Sequence, residues 1–333
     1  MHSVFRILSG IFLISAFILH PTAFGQKSAG QHPYFSDKSM PQPVMFGEGF
    51  VSTAEDDLNA AFSPDGKTIY FTRNFPRSRL GVILFSEYKK GKWTQPQIAS
   101  FSGFATDYDP FFSADGSKIF FCSNRREDGK AGTDYNIWYV EKTATGWSNP
   151  INPGALVNST VDEFYPSIAS DGTLYFSSNR PGGKGSYDVY RSRWENGKFT
   201  EPENLGDGVN TNLTELDNYI SPDQKFIVFA ANGRKDDLGG GSGDLYISFN
   251  KNGVFSPARN LGAPINSPQR EYCPIGSPDG KYFFFTSFRG NLDKPLEKRL
   301  KSFQEIISLA ENPLNGRGNI FQIDIGALKL DEN

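Results

Sequence analysis

Ten charged residues recur at fixed places along this 333-residue chain. Five acids, Asp57, Asp107, Glu163, Glu215 and Glu271, each stand eight residues ahead of the Asp of a Ser-Pro-Asp-Gly-like turn. Five arginines, Arg73, Arg125, Arg180, Arg234 and Arg289, follow that Asp by eight to eleven residues. A hairpin folded at the turn brings acid and Arg opposite each other, where a charge-assisted cross-strand pair can form. The other chemistry open to five such acids is a ring at a channel mouth that holds a cation or a basic ligand. Presence in every copy favours the ion pair as scaffold, because a ligand site usually breaks the symmetry of a repeat.

Two residues beyond each acid the copies disagree, with Asn59, Asp109, Tyr165, Asp217 and Cys273. Residues two apart share a face of a strand, so these five are placed beside the acids at the entrance of a central channel. Asp109 and Asp217 then form a two-carboxylate constellation, and with Tyr165 and Glu271 they are the candidate funnel ligands. The variable loops 126–133, 181–186 and 235–243 open on the same face, which makes that face the default place for a ligand. No residue is assigned a catalytic role. No metal or cofactor is expected: the only histidines are His2, His20 and His32, and no Cys/His ligand spacing occurs. Gly182-Gly183-Lys184-Gly185-Ser186 and the glycines of 239–243 lack the spacing of a phosphate-binding loop.

The elements that must position these residues follow from the turns. The turn Asp falls at 65, 115, 171, 223 and 279, a period of fifty-odd residues built on short apolar strands. Such a period marks the blades of a propeller. The third copy is the clearest, with strands around Glu163–Ala169, Thr173–Arg180, Asp188–Arg193 and Phe199–Gly206, the last two joined by an Asn196-Gly197 hairpin turn. Fourth strands are expected to begin near Trp93, Trp147, Phe199 and Phe255, each followed closely by the Pro that an outer edge tolerates. The fifth copy lacks a fourth strand, and Met40–Gly47 matches that pattern without a blade of its own. The expected fold is therefore an all-β, five-bladed propeller closed by an N-terminal strand, with six blades as the runner-up. An insertion over 295–311 carries Leu296, Leu300, Phe303, Ile307 and Ala310 at helical spacing and reads as a surface helix, or as a lid or docking helix.

Arg6 followed by the apolar run Ile7–Leu19 and the small residues of Ala23-Phe24-Gly25 reads as an export signal over 1–25. A linker then covers 26–39, the propeller 40–325 and a tail 326–333. Cys122 and Cys273 fall in non-adjacent repeats and are expected to be buried free thiols. A formal net charge of −3 gives no reason to expect nucleic acid.

Ser63-Pro64-Asp65-Gly66-Lys67 and Ser277-Pro278-Asp279-Gly280-Lys281, each followed by an aromatic strand, resemble the turn of the TolB-like, WD40-like β-propeller family. The resemblance covers roughly Met40 to Ile325, and endings such as Phe176-Ser177-Ser178-Asn179-Arg180 look like envelope propellers of Gram-negative bacteria. It implies an exported, monomeric binding platform, periplasmic or secreted, whose partner is an envelope protein or a glycan. Five-bladed glycosidases place carboxylates in the funnel, so the resemblance also leaves a carbohydrate-active hydrolase using Asp109, Asp217 and Glu271 as the alternative.

Overall fold

Each Asp turn reverses the chain between the first and second strands of a blade. Ser63 Oγ donates to Asp65 Oδ1 at 2.6 Å, and the same carboxylate accepts from Lys67 N at 3.0 Å. Equivalent bonds recur at Asp115 and Asp279. Hydroxyl and amide donors hold Asp115 down at about 2, the Ser113 hydroxyl foremost. The residue after the Asp has a positive φ, met by Gly66, Gly116, Gly172 and Gly280 and by Gln224 in the fourth copy.

The computed structural model describes residues 33–330 apart from 37, 76, 77, 79, 129, 292 and 294. Five antiparallel sheets follow in order. The first blade is Asp56–Phe62, Thr68–Phe75, Leu80–Lys89 and Gln97–Ile98. The second is Asp107–Phe112, Lys118–Arg125 and Ala131–Thr143, with Ile151 bridging Tyr139 at the outer position. The third is Glu163–Ile168, Leu174–Ser178, Asp188–Ser192 and Glu203–Asn204, and the fourth Thr214–Ile220, Phe226–Asn232, Asp244–Lys251 and Arg259–Asn260. The fifth is Glu271–Gly276, Tyr282–Ser287 and Asn319–Asp324, completed by Val44–Met45 from the N-terminal side, with Val44 opposite Gln322 and Met45 opposite Phe321. First strands of neighbouring blades meet around the axis. The protein is a five-bladed β-propeller, and the six-bladed alternative falls away.

The outer strands start later than expected. Trp93, Trp147, Phe199 and Phe255 sit on short hairpin arms, and the outer strand resumes only past the following Pro. Pro donates no hydrogen bond, so it breaks the ladder between arm and outer strand. The insertion helix is also shorter than the pattern suggested, running Phe303–Ala310. Ser302 caps it by accepting from Glu305 N, which leaves Leu296 and Leu300 outside. None of its residues is buried, and Phe303 is 75% exposed. Cys122 and Cys273 are buried and free. The export signal read over 1–25 lies outside the described residues.

Candidate binding site

The repeated acids and arginines meet in every blade. Arg73 lies 2.7 Å from Asp57, Arg125 2.5 Å from Asp107, Arg180 3.1 Å from Glu163, Arg234 2.9 Å from Glu215 and Arg289 3.1 Å from Glu271. All five carboxylates are fully buried. A hydroxyl from the incoming crossover, on Thr53, Ser102, Ser159, Thr211 or Ser267, donates to each acid. Each guanidinium also lies over an aromatic ring of its own second strand. Arg125, Arg180, Arg234 and Arg289 reach further, to a carbonyl of the crossover. Burial pushes Asp57, Glu163 and Glu271 upward against these bonds. The clusters tie each blade to the chain entering it. Losing one partner of such a buried pair costs about 3–5 kcal/mol. Glu271 belongs to this arrangement and does not line the axial space, which corrects its placement with Asp109 and Asp217.

Each first strand carries a bulge two residues past its acid. The bulged residue is left-handed in all five copies, with φ of +57° at Asn59, +58° at Asp109, +53° at Tyr165, +52° at Asp217 and +51° at Cys273. Asn and Asp tolerate this conformation better than other L-residues, while Tyr and Cys pay about 1–2 kcal/mol. The bulges turn these side chains onto the axis, where Asn59, Asp109, Tyr165, Asp217 and Cys273 line one small cavity. Its volume is about 20 Å³, room for one water-sized particle. Asp109 is 3% and Asp217 1% exposed, so the expected open funnel is a closed axial cluster. Cys122 Sγ donates to Asp109 Oδ2 at 3.2 Å, and Cys273 Sγ lies 3.0 Å from Asn59 Oδ1 and 3.4 Å from Asp217 Oδ1. Burial, then repulsion from Asp217, pushes Asp109 well up. Burial lifts Asp217 to about 6 despite the opposing pull of Arg270.

Three larger hollows lie on the opposite, turn-bearing face. A depression of about 230 Å³ on the axis is lined from all five blades, among them by Phe62, Phe111, Ile168, Tyr219 and Ile275. Around it, five equivalent clefts separate successive blades, each floored by a second-strand residue and its third-strand partner. Between blades five and one these are Phe284 and Gln322, and Tyr34 fills the space. Its ring lies 4.9 Å from that of Phe62 and 6.0 Å from that of Phe284, and Gln322 Nε2 donates to its carbonyl. Burial, and next the Asp279 carboxylate, push the Tyr34 hydroxyl upward. Tyr34 lies in the stretch read as a linker. Between blades four and five, Leu328 from the stretch read as a tail joins the cluster of Val228 and Ile247, with Arg259 holding its carbonyl. Between blades three and four, Gln224 bridges Tyr175 Oη and Asp171.

Among the described residues nothing fills the other two clefts. Between blades two and three, Phe120, Tyr139, Ile168, Phe199 and the 44%-exposed Trp194 enclose about 260 Å³, with Asp115 and Lys118 at the edge. Between blades one and two, Tyr70, Phe85, Phe112 and Trp147 line about 530 Å³. The loop-bearing face has a polar hollow of about 380 Å³ near Arg126, Asp134 and Trp138.

One repeated device escaped the reading of the sequence. Asn158, Asn210 and Asn266 each bond both the N–H and the C=O of a third-strand residue in the preceding blade, Ile137, Val189 and Leu245. The signal was there, in Val157-Asn158-Ser159, Val209-Asn210-Thr211 and Ile265-Asn266-Ser267, each five residues before its acid.

Neither a family model nor a curated protein matches the chain. Among solved structures it is similar to TolB from Acinetobacter baumannii, at 18% identity and a TM-score of 0.48 over 71% of this chain and 50% of that one. The chain thus spans half the length of that protein. It is also similar to an α-L-arabinofuranosidase from Lactobacillus brevis, at 12% identity and a TM-score of 0.48 over 84% and 92%. The hydrazine synthase of Kuenenia stuttgartiensis matches at 16% identity and a TM-score of 0.42 over 78% and 76%. The five-bladed propeller itself is read from the pairing of this chain's own strands.

Proposed function

We propose that the protein is an exported, non-enzymatic binding module of the cell envelope that captures a protein segment on its turn-bearing face. One observation carries this reading: of five equivalent inter-blade clefts, two hold side chains from the segments flanking the propeller, and two lined by aromatic rings are left open by the described residues. The cleft between blades two and three repeats the surroundings of Tyr34. Phe120 stands for Phe284, Ile168 for Phe62 and Asp115 for Asp279. A Tyr or Phe presented by another chain would find there the apolar walls and the carboxylate that Tyr34 finds at home. Export rests on Arg6 and the apolar run behind it.

Hydrolysis of a glycoside needs two carboxyl groups about 5–10 Å apart across an open pocket. Here the five strand acids are engaged by arginines, and Asp109 and Asp217 face a space too small for a sugar ring. The test is selection of peptides from a displayed library, with a glycan array and glycoside substrates beside it. Selected peptides should share a Tyr or Phe and lose affinity about tenfold or more against Trp194→Asp, a substitution at an exposed position. Glycan binding that Trp194→Asp abolishes, or turnover of a glycoside, would sink the reading.

A further inference from the structure

One position on the loop-bearing face is covered by the chain's own loops in blades three and four and by no described residue in blade two. In blade three its floor is Asp188 and Tyr190, with Asn204 opposite Tyr190 on the outer strand. The loop 181–186 lies over them: Lys184 N and Gly185 N donate to Asp188, and a Cβ on Gly183 would stand 3.0 Å from the Tyr190 hydroxyl. In blade four Leu238 N donates to Asp244, while Asp236 Oδ1 accepts from Tyr246 Oη at 2.9 Å and the Asp236 carbonyl from Asn260 Nδ2 at 3.0 Å. Asn136, Trp138 and Asn152 hold the equivalent places in blade two. There Arg126 N donates to the Lys130 carbonyl and Arg125 pairs with Ala131, and a hollow of about 380 Å³ is left. Its lining has unmet polarity. Trp138 is 5% exposed and its indole Nε1 has no partner, whereas Tyr246 at the same place finds Asp236 in its own loop. Asn152 spends its Oδ1 on Gly154 N and Asn158 Nδ2, which leaves its own Nδ2 unbonded among the described residues. Asn136 Nδ2 donates to Asp134 Oδ2 at 3.0 Å, and the Oδ1 of each is left as an acceptor. Arg126 and Glu127, both exposed, add one charge of each sign to the lining.

We propose that this hollow binds a sugar residue of an uncharged glycan. The groups left unbonded are both donors and acceptors, and a sugar hydroxyl donates one hydrogen bond while accepting others. Arg126 on one side and Glu127 and Asp134 on the other would give an ion of either sign a like-charged neighbour. A peptide backbone fits less well. The loops of blades three and four are held by amides that donate to a carboxylate, and blade two has Asn136 at that place, whose amide oxygen is a weaker acceptor. A volume of about 380 Å³ lies within the usual range of small-ligand sites. An unpartnered buried donor is costly, and a ligand hydroxyl oxygen relieves it at Trp138 Nε1. The hollow and the aromatic clefts lie on opposite faces, so the two kinds of capture are separable.

The test screens the mature chain against an array of neutral oligosaccharides, with cello-, xylo-, manno- and N-acetylchito-tetraose carried on to titration calorimetry. Binding of a neutral glycan at millimolar concentration or below is expected. Arg126→Ala, at an exposed position, and Trp138→Phe, which removes the indole N–H, should each weaken it about fivefold or more. Trp194→Asp should leave it unchanged, which separates this site from the aromatic cleft. Absence of neutral-glycan binding by the unmodified chain overturns the proposal. So does binding that Arg126→Ala leaves intact, even where Trp138→Phe fails to fold, an affinity confined to acidic glycans, or a displayed peptide whose binding Arg126→Ala abolishes.

Discussion

The cleft between blades five and one and the cleft between blades two and three are walled from equivalent positions and differ in their contents. In the first, Tyr34 is 2% exposed and packed against Phe62, Tyr282 and Phe284. In the second, Trp194 stands at the edge of a hollow bounded by Phe120, Tyr139 and Phe199. Their difference teaches where the repeat stops being self-sufficient. A blade buries its strands against its neighbours, but the turn-bearing end of each interface leaves a gap that something else must close. The chain ends close two gaps, a hydrogen-bonded glutamine closes one, and two are left to the surroundings.

Removing the plug is the strongest way to break this comparison. Tyr34→Ala should turn the filled cleft into an open one and destabilise the fold by about 4 kcal/mol, the cost of deleting a buried aromatic side chain. Urea denaturation measures it. A synthetic peptide of residues 33–39 added in trans should recover part of the lost midpoint, because the site it left remains. A loss below about 1 kcal/mol would mean that the cleft closes without its plug, and the open clefts would then need no ligand either.

Leu328→Ala should cost less, about 3 kcal/mol, since an aliphatic side chain is deleted and Ile325 still anchors the turn through Lys281. The carbonyl of Leu328 keeps its bond from Arg259, so the backbone should stay in place. If the loss matches or exceeds that of Tyr34→Ala, the two plugs are not equivalent, and the C-terminal segment carries more of the fold than one cleft.

The propeller was legible in the sequence because its turns need Asp and a residue of positive φ at a fixed place, its acids stand eight residues before that Asp, and its arginines follow within eight to eleven. Closure was legible too, since an unpaired outer-strand pattern around Val44 and a missing one after Asp324 complete each other. The clefts were not. Tyr34 and Leu328 lie in stretches without periodicity, and their burial depends on where the blades leave space, which no local pattern encodes. The axial cluster was half legible. The disagreement among Asn59, Asp109, Tyr165, Asp217 and Cys273 marked the position, but alternation along a strand implied an open face, whereas a bulge in every copy turned the side chains inward.

The mildest intervention tests the third kind of closure. Gln224 takes the place of the turn glycine in the fourth copy at φ +58°, accepts from Tyr175 Oη at 2.8 Å and donates to Asp171 at 2.7 Å. Gln224→Gly relieves a left-handed conformation worth about 1–2 kcal/mol and gives up two hydrogen bonds worth about 0.5–1.5 kcal/mol each. The two effects nearly cancel, so stability should change by no more than about 1 kcal/mol. Binding should change more than stability, because a third cleft now opens beside Tyr175 and Phe255. The peptide of residues 33–39 should then gain a site in titration calorimetry relative to the unmodified chain. An unchanged stoichiometry would mean that the glutamine adorns a cleft already filled by its own walls.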